Sequence, residues 1–296
     1  GDESVPAVEE VAESLEAADR WILSRLARAV EEVTDRLERF RLNEAALAGY
    51  GFFWNELADW YLEMIKPRLR GEMGEESRTA ARATLVRVLD TTMRLLHPVT
   101  PFITETVWQR LPARMGDAPS IMVAEWPTPD RRWVDAEAEA AIGELQEVIA
   151  VVRNLRAEYG VQPGARVRLR VTEESGSLTA LLRDSARILH DLARVEEVGS
   201  APAPGEIGAS AVLRSGAQLF VPLEGVIDLQ KERERLRGEL DRTASLASSA
   251  RKRLENESFV SRAPADVVLR EREKLQSVEE QHEKIAKTLR ALEGGA

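Results

Sequence analysis

A sevenfold repeat near the C-terminal end constrains this 296-residue chain more than any other feature. Leu229, Leu236, Thr243 and Ala250 step by seven, and Leu240, Ala247 and Leu254 hold the interleaved position. After Ser258 to Pro264 the pattern resumes, with Val268, Leu275, His282 and Leu289 on one heptad position and Val278, Ile285 and Leu292 on the other. Such an a/d seam is buried only against another seam. The two runs are similar in length and joined by a turn containing Pro264, so they predict intramolecular pairing, an antiparallel coiled-coil hairpin and a monomer. At 1.5 Å per residue the hairpin reaches roughly 45 Å, further than a small domain is wide, and therefore projects as an arm.

Ahead of the arm the apolar period is that of a helix. From Leu15 to about Phe40, Trp21, Ile22, Leu26, Ala29, Val30, Val33 and Leu37 recur at spacings of three and four. A second helix starts near Asn43 and carries Phe53, Trp54, Leu57, Trp60, Tyr61, Met64 and Ile65 before Pro67 and Gly71 stop it. A third runs from about Ser77 to Leu96, ending where His97 meets Pro98, and a short fourth spans Pro101 to Leu111. Short links between amphipathic faces predict an antiparallel bundle. Ala113 to Asp130, rich in Pro, Gly and Asp, reads as a strap over it, followed by a fifth helix from about Asp135 to Tyr159.

The texture then changes. Arg166 to Val171 alternates with period two and predicts a half-exposed strand; Val195 to Val198, Ala211 to Arg214 and Gln218 to Val221 add short strands around a helix from Leu178 to Leu192. Ser215-Gly216 joins the last two strands in a hairpin-like turn. The expected class is mainly α, with an acidic linker over 1–16, a helical bundle over 17–134, a small α+β junction module over 135–225 and the coiled-coil arm over 226–296.

Much chemistry lacks a candidate. With Cys 0 there is no thiolate nucleophile and no Cys-bound zinc. No phosphate-binding glycine loop is present, and no lysine lies between Lys66 and Lys231. His97, His190 and His282 are isolated: the first closes a helix, the second lies on a helix face and the third sits on the seam, where a polar residue fixes register. Carboxylate pairs such as Glu9-Glu10 and Glu279-Glu280 are expected among 51 acidic residues and read as solvated helix faces. No apolar run approaches the roughly 18 residues that span a bilayer, and Gly1 to Val5 has neither the basic nor the apolar region of a signal peptide. A cytoplasmic location is expected.

A net charge of -10 argues against a uniformly basic nucleic-acid binder, but phosphate contacts depend on charge within about 8–10 Å. On the first helix Arg25, Arg28, Arg36 and Arg39 can share a stripe, interleaved with Glu31, Glu32, Asp35 and Glu38. Arg251, Lys252 and Arg253 lie just before the hairpin turn and Arg262 just after it. From Asp228 onward there are 15 Lys/Arg against 14 Asp/Glu, while the rest of the chain holds 26 against 37. Relative to the body, the arm is where a polyanion lands.

Three stretches carry a resemblance covering nearly all of the chain after about residue 17. They are Phe53-Trp54-Asn55-Glu56-Leu57-Ala58-Asp59-Trp60-Tyr61-Leu62-Glu63 with Lys66-Pro67, Leu96-His97-Pro98-Val99-Thr100-Pro101-Phe102-Ile103-Thr104-Glu105, and Asn256-Glu257-Ser258-Phe259-Val260 leading to Ala263-Pro264 and Val267-Val268. The first two resemble the anticodon-binding bundle shared by valyl, isoleucyl and leucyl synthetases. The third, with Leu223-Glu224-Gly225-Val226-Ile227-Asp228 before the coiled coil, is similar to the valyl-tRNA synthetases alone. The family's catalytic His-x-Gly-His and Lys-Met-Ser-Lys-Ser motifs do not occur.

The resemblance implies the C-terminal part of such an enzyme, as an excised piece or a natural stand-alone one. This part would be inactive in valine activation, adenylate formation and editing, without a cofactor of its own, since ATP and Mg belong to the full-length enzyme. It implies valine tRNA as partner, with the bundle at the anticodon and the arm at the outer corner where the D and T loops meet. Arg25, Arg28, Arg36 and Arg39 are the candidates for the anticodon side. Arg251, Lys252, Arg253, Arg262, Arg270 and Lys274 are those for the corner. Trp54, Trp60, Tyr61 and Phe102 read as packing residues. The competing reading is a scaffold whose heptads pair between chains, dimeric and indifferent to RNA.

Overall fold

The computed structural model describes residues 5–112, 116, 118–256, 261 and 263–293. The chain divides into two compact units, Gly1–Glu144 and Leu145–Ala296.

The first unit is a helical bundle. α1 (Ala17–Glu38) buries Trp21, Ile22, Leu26, Ala29, Val30 and Val33, the residues whose spacing predicted it. α2 (Leu42–Gly51) approaches α4 (Glu75–Leu96) at Gly49, where a Cβ would stand 3.1 Å from Leu96 Cδ2. α2 then continues without a break through a π-helical stretch, Phe52–Tyr61, into α3 (Leu62–Leu69). The wider π turn re-phases the apolar stripe, so that Leu57, Tyr61, Met64 and Ile65 are buried while Trp54 turns outward. Pro67 does not stop this helix as expected. It is buried inside α3, and the stop comes at Gly71 (φ 78), where Gly71 N–H donates to the Arg68 carbonyl at 2.8 Å and Glu72 N–H to that of Pro67 at 3.1 Å.

Beneath these helices lies a buried polar cluster. Asp19 (0% exposed) accepts from Arg68 Nη2 at 2.7 Å and from the Tyr61 hydroxyl at 2.7 Å, tying the start of α1 to the π stretch and α3. α5 (Pro101–Trp108) sends Trp108 into a second cluster with Met93 and Ile121, the latter from a 3-10 turn in the strap. Trp126 Nε1 donates to Thr34 Oγ1 at 2.9 Å, so the strap lies against α1 as expected. The stretch expected as an acidic linker is folded in part: Val8–Ser14 is a 3-10 helix packed on α4, with Val8 2% exposed and the Ser14 hydroxyl donating to Glu76 at 2.7 Å.

α6 (Ala136–Glu158) begins in the first unit and supplies Leu145, Val148, Ile149 and Val152 to the core of the second. There, β1 (Val167–Thr172), β2 (Val195–Gly199), β3 (Gly208–Val212) and β4 (Gln218–Pro222) form one sheet in the order β2-β1-β4-β3, with β1 and β2 parallel and the other pairs antiparallel. The single helix expected over 178–192 is two, α7 (Ser177–Asp184) and α8 (Ala186–Ala193). β3 lies earlier than Ala211 to Arg214, because Leu213 already closes the turn: its N–H donates to the Ala217 carbonyl at 2.9 Å and its carbonyl accepts from Gly216 at 2.9 Å.

The arm is α9 (Leu229–Glu255) paired with α10 (Ala265–Leu292) within the chain, and every heptad residue named above is buried or half-buried. Asp228 caps α9 by accepting from Lys231 N–H at 3.0 Å. On the seam, Thr243 Oγ1 and His282 Nδ1 are 2.8 Å apart, a polar pair that penalises sliding of one helix along the other. At the root, Arg233 Nε donates to the Leu292 carbonyl at 2.9 Å.

Candidate nucleic-acid interface

The four arginines of the α1 stripe divide into two pairs. Arg25 donates to Glu56 from Nε at 2.6 Å and Nη2 at 3.0 Å, and that bond raises the guanidinium pKa against the effect of burial. Arg28 Nε donates to Glu139 at 2.6 Å. Burial alone would push the Glu139 carboxyl up, but hydrogen bonds from Arg28 and Ser24 and the charges of Arg28 and Arg25 hold it below its ordinary value. These two arginines clamp α1 to the π stretch and to the start of α6.

Arg36 and Arg39 sit at the other end of α1. Arg36 pairs with Glu32 and donates to the Glu44 carbonyl at 3.0 Å, which fixes the first turn of α2 to the end of α1. Arg39 pairs with Asp35 at 2.8 Å and is 63% exposed at its side chain. Exposed i,i+4 pairs of this kind contribute only about 0.3–0.5 kcal/mol, so a phosphate can draw the cation away at little cost.

Between Arg39 and Arg41 stands a residue the charge pattern did not single out. Phe40 has φ 59 and is 88% exposed. It occupies the left-handed position that ends α1: Phe40 N–H donates to the Leu37 carbonyl at 2.9 Å and Arg41 N–H to that of Arg36 at 2.8 Å, the bond pair of a Schellman stop. Glycine is the usual occupant, and an L-residue in this conformation costs about 1–2 kcal/mol. Here the backbone holds an aromatic ring out in water between two arginines. Leu42, the next large apolar residue, is 64% exposed.

Two of the four aromatics expected to pack do not. Tyr61 is buried and Trp60 half-buried, but Trp54 is 49% exposed and stacks on Tyr50, rings 5° from parallel with centroids 6.2 Å apart. Phe102 is 89% exposed, because the inward residues of α5 are Thr104 and Trp108. An outward aromatic on a helix shows in the sequence only if the helical phase is known, and the π stretch shifts it.

On the arm the cations line both helices. Arg251 pairs with Glu279, Arg253 with Glu271 at 3.7 Å, Arg270 with Asp266 at 3.2 Å and Lys274 with Glu271 at 4.0 Å. Lys252 has no carboxylate within 4 Å among the described residues, and Arg262 lies outside them. All four paired cations are more than half exposed at their side chains. Among the described residues no three His, Asp or Glu side chains converge as a metal site, and no helix is long and apolar enough to cross a membrane.

Residues 19–172 match the family described as the anticodon-binding domain of tRNA ligase, and residues 228–293 match the valyl tRNA synthetase tRNA binding arm. The chain belongs to the valyl-tRNA synthetase family. It is 41% identical over 263 residues to the valine–tRNA ligase of Carboxydothermus hydrogenoformans, covering 89% of this chain and 29% of that protein. The valine–tRNA ligase of Symbiobacterium thermophilum is 36% identical over 306 residues (97% and 33%), and that of Thermotoga maritima 38% over 286 residues (95% and 31%). The chain thus spans about a third of the length of these relatives and corresponds to their tRNA-binding part.

Proposed function

We propose that the chain binds valine tRNA at two places: the bundle at the anticodon loop, through the end of α1, and the arm at the outer corner, through its cations. In an intact synthetase these contacts hold the tRNA while the catalytic portion joins valine to it. The observation that carries the bundle assignment is Phe40, exposed in a strained backbone conformation between Arg39 and Arg41. Unpaired anticodon bases are recognised by aromatic and guanidinium stacking, whereas a folded tRNA corner is recognised by shape and phosphate charge. Arg39 beside the ring serves as a phosphate contact, with Arg36 fixing α2 at the same end; Arg25 and Arg28 hold the other end of α1 in place. Arg251, Lys252, Arg253, Arg270 and Lys274, with Arg262, supply the charge on the arm. Pairing of α9 with α10 within the chain supports a monomer, which sedimentation at low concentration tests.

The deciding experiment titrates the chain with valine tRNA, a tRNA of different anticodon and a generic hairpin RNA, each at two salt concentrations. Preference for valine tRNA is the expected result. Equal, salt-sensitive affinity for all three would refute anticodon reading and leave a charged arm, and no binding would refute both contacts.

A further inference from the structure

The sheet of the second unit has one buried face and one open face. Val167, Leu169 and Val171 of β1 and Leu219 and Val221 of β4 are buried, so alternation places the residues between them on the opposite side. There Arg170, Phe220 and Ser210 stand directly across from one another on β1, β4 and β3, and Arg168 faces Glu197 on β2.

Two glycines give this face its shape. A Cβ at Gly199 would fall on the Arg170 guanidinium, and one at Gly208 would lie 2.5 Å from Phe220 Cζ. The Arg170 and Phe220 side chains therefore lie along the sheet over residues that have no side chain. β1 and β4 are neighbours, and from them Arg170 leans outward over β2 and Phe220 outward over β3. Arg170 holds Glu197 at 2.9 Å, whereas Arg168 has no carboxylate within 4 Å among the described residues. In a chain of net charge -10, a face with two arginines and one engaged carboxylate stands out as anion-seeking.

An aromatic side chain laid along a sheet face, with a free cation and a hydroxyl beside it, is what an unpaired polynucleotide uses: bases stack whatever their identity, and phosphates find the cation. A protein partner would need contiguous apolar area. Here the strongly exposed apolar side chain is Val212, 67% exposed at the end of β3.

We infer that the open face of the β2-β1-β4-β3 sheet is a further RNA-contact surface, taking an unpaired stretch of the bound tRNA with Phe220 as the stacking platform and Arg168 on phosphate. The inference rests on the reading that tRNA is the partner, and adds a contact beyond those of the α1 end and of the arm cations.

The test uses the whole chain and valine tRNA over a salt series. Arg168→Glu is expected to weaken binding roughly fivefold near 0.1 M salt and to lower the slope of log affinity against log salt by about 0.7, the change for one lost single-strand phosphate contact. Phe220→Leu keeps an apolar cover over Gly208 and is expected to weaken binding at least about fivefold with an unchanged slope, because stacking releases no counterions. Val212→Glu touches no core residue and adds a carboxylate to the same face, so it should act in the same direction as Arg168→Glu. Wild-type affinity and slope in Arg168→Glu and Val212→Glu, while the unaltered chain binds tRNA, would overturn the sheet assignment alone. Absence of binding by the unaltered chain would remove it together with the reading beneath it.

Discussion

Replacing Phe40 by glycine separates stability from binding. The native φ of 59 belongs to the left-handed region, whose cost to an L-residue is about 1–2 kcal/mol and to glycine close to none. Glycine also loses more freedom on folding, by about 0.5–1 kcal/mol, which offsets part of the relief. The ring is 88% exposed, so its removal forfeits little burial. The net expectation for Phe40→Gly is a gain of about 0.5–1 kcal/mol, or a rise in melting temperature of roughly 1–4 °C for a unit of this size. If the ring stacks on an unpaired base, the same change costs about 1–3 kcal/mol of affinity, a loss of roughly 5- to 150-fold for valine tRNA. Phe40→Leu should lose affinity without the stability gain, because it keeps a side chain in the left-handed conformation. Thermal melts followed by circular dichroism, and tRNA titrations on the same preparations, read both quantities. A lower melting temperature in Phe40→Gly would refute the backbone argument, and unchanged affinity would refute the stacking role.

Asp19→Asn should destabilise the bundle by about 3 kcal/mol, measured by chemical denaturation, because it removes the buried partner of a 2%-exposed Arg68; adding Arg68→Met should recover part of the loss. The Glu139 carboxyl, held below its ordinary value, contributes stability that is present above its unfolded pKa of about 4.3 and is lost as pH falls through its folded value. The melting temperature should therefore be flat between about pH 7 and 5 and fall below about pH 4, less steeply in Glu139→Gln; identical acid limbs would contradict this. Arg251→Glu, Lys252→Glu and Arg253→Glu together should weaken tRNA binding and reduce its salt slope by up to about 2–3, and an unchanged slope would dismiss the arm assignment.

The seam of the arm and the core face of α1 were legible in the sequence because both follow one regular period, and burial then selects the same residues: Leu236, Ala247, Ile285 and Leu289 in the arm, Trp21, Ile22 and Val30 in the bundle. What was illegible departs from a period. A π turn and an α turn draw on the same aromatic-rich run, so nothing in Phe52–Tyr61 announced that Trp54 would face out. The end of α1 was hidden for the opposite reason: composition reserves a left-handed stop for glycine, and the chain places Phe40 there. Charge along α1 marked its arginines but not which of them are already paired, since Glu56 and Glu139 come from elsewhere in the chain.

The seam also changes grain along its length. Near the root it is filled by Leu236, Ile285, Leu289 and Leu292, and α9 continues towards the turn with Thr243, Ala247 and Ala250. Nearer the turn the seam residues Leu254, Val268, Leu275 and Val278 are only half-buried, so unzipping from the far end meets the less covered contacts first, and the ties from Arg233 to the Leu292 carbonyl and from Arg237 to Glu293 lie at the last stage. The arm is thus held most firmly at its root, where buried seam residues and these two ties coincide. Amide exchange should accordingly slow in a gradient from Asn256 back towards Leu236.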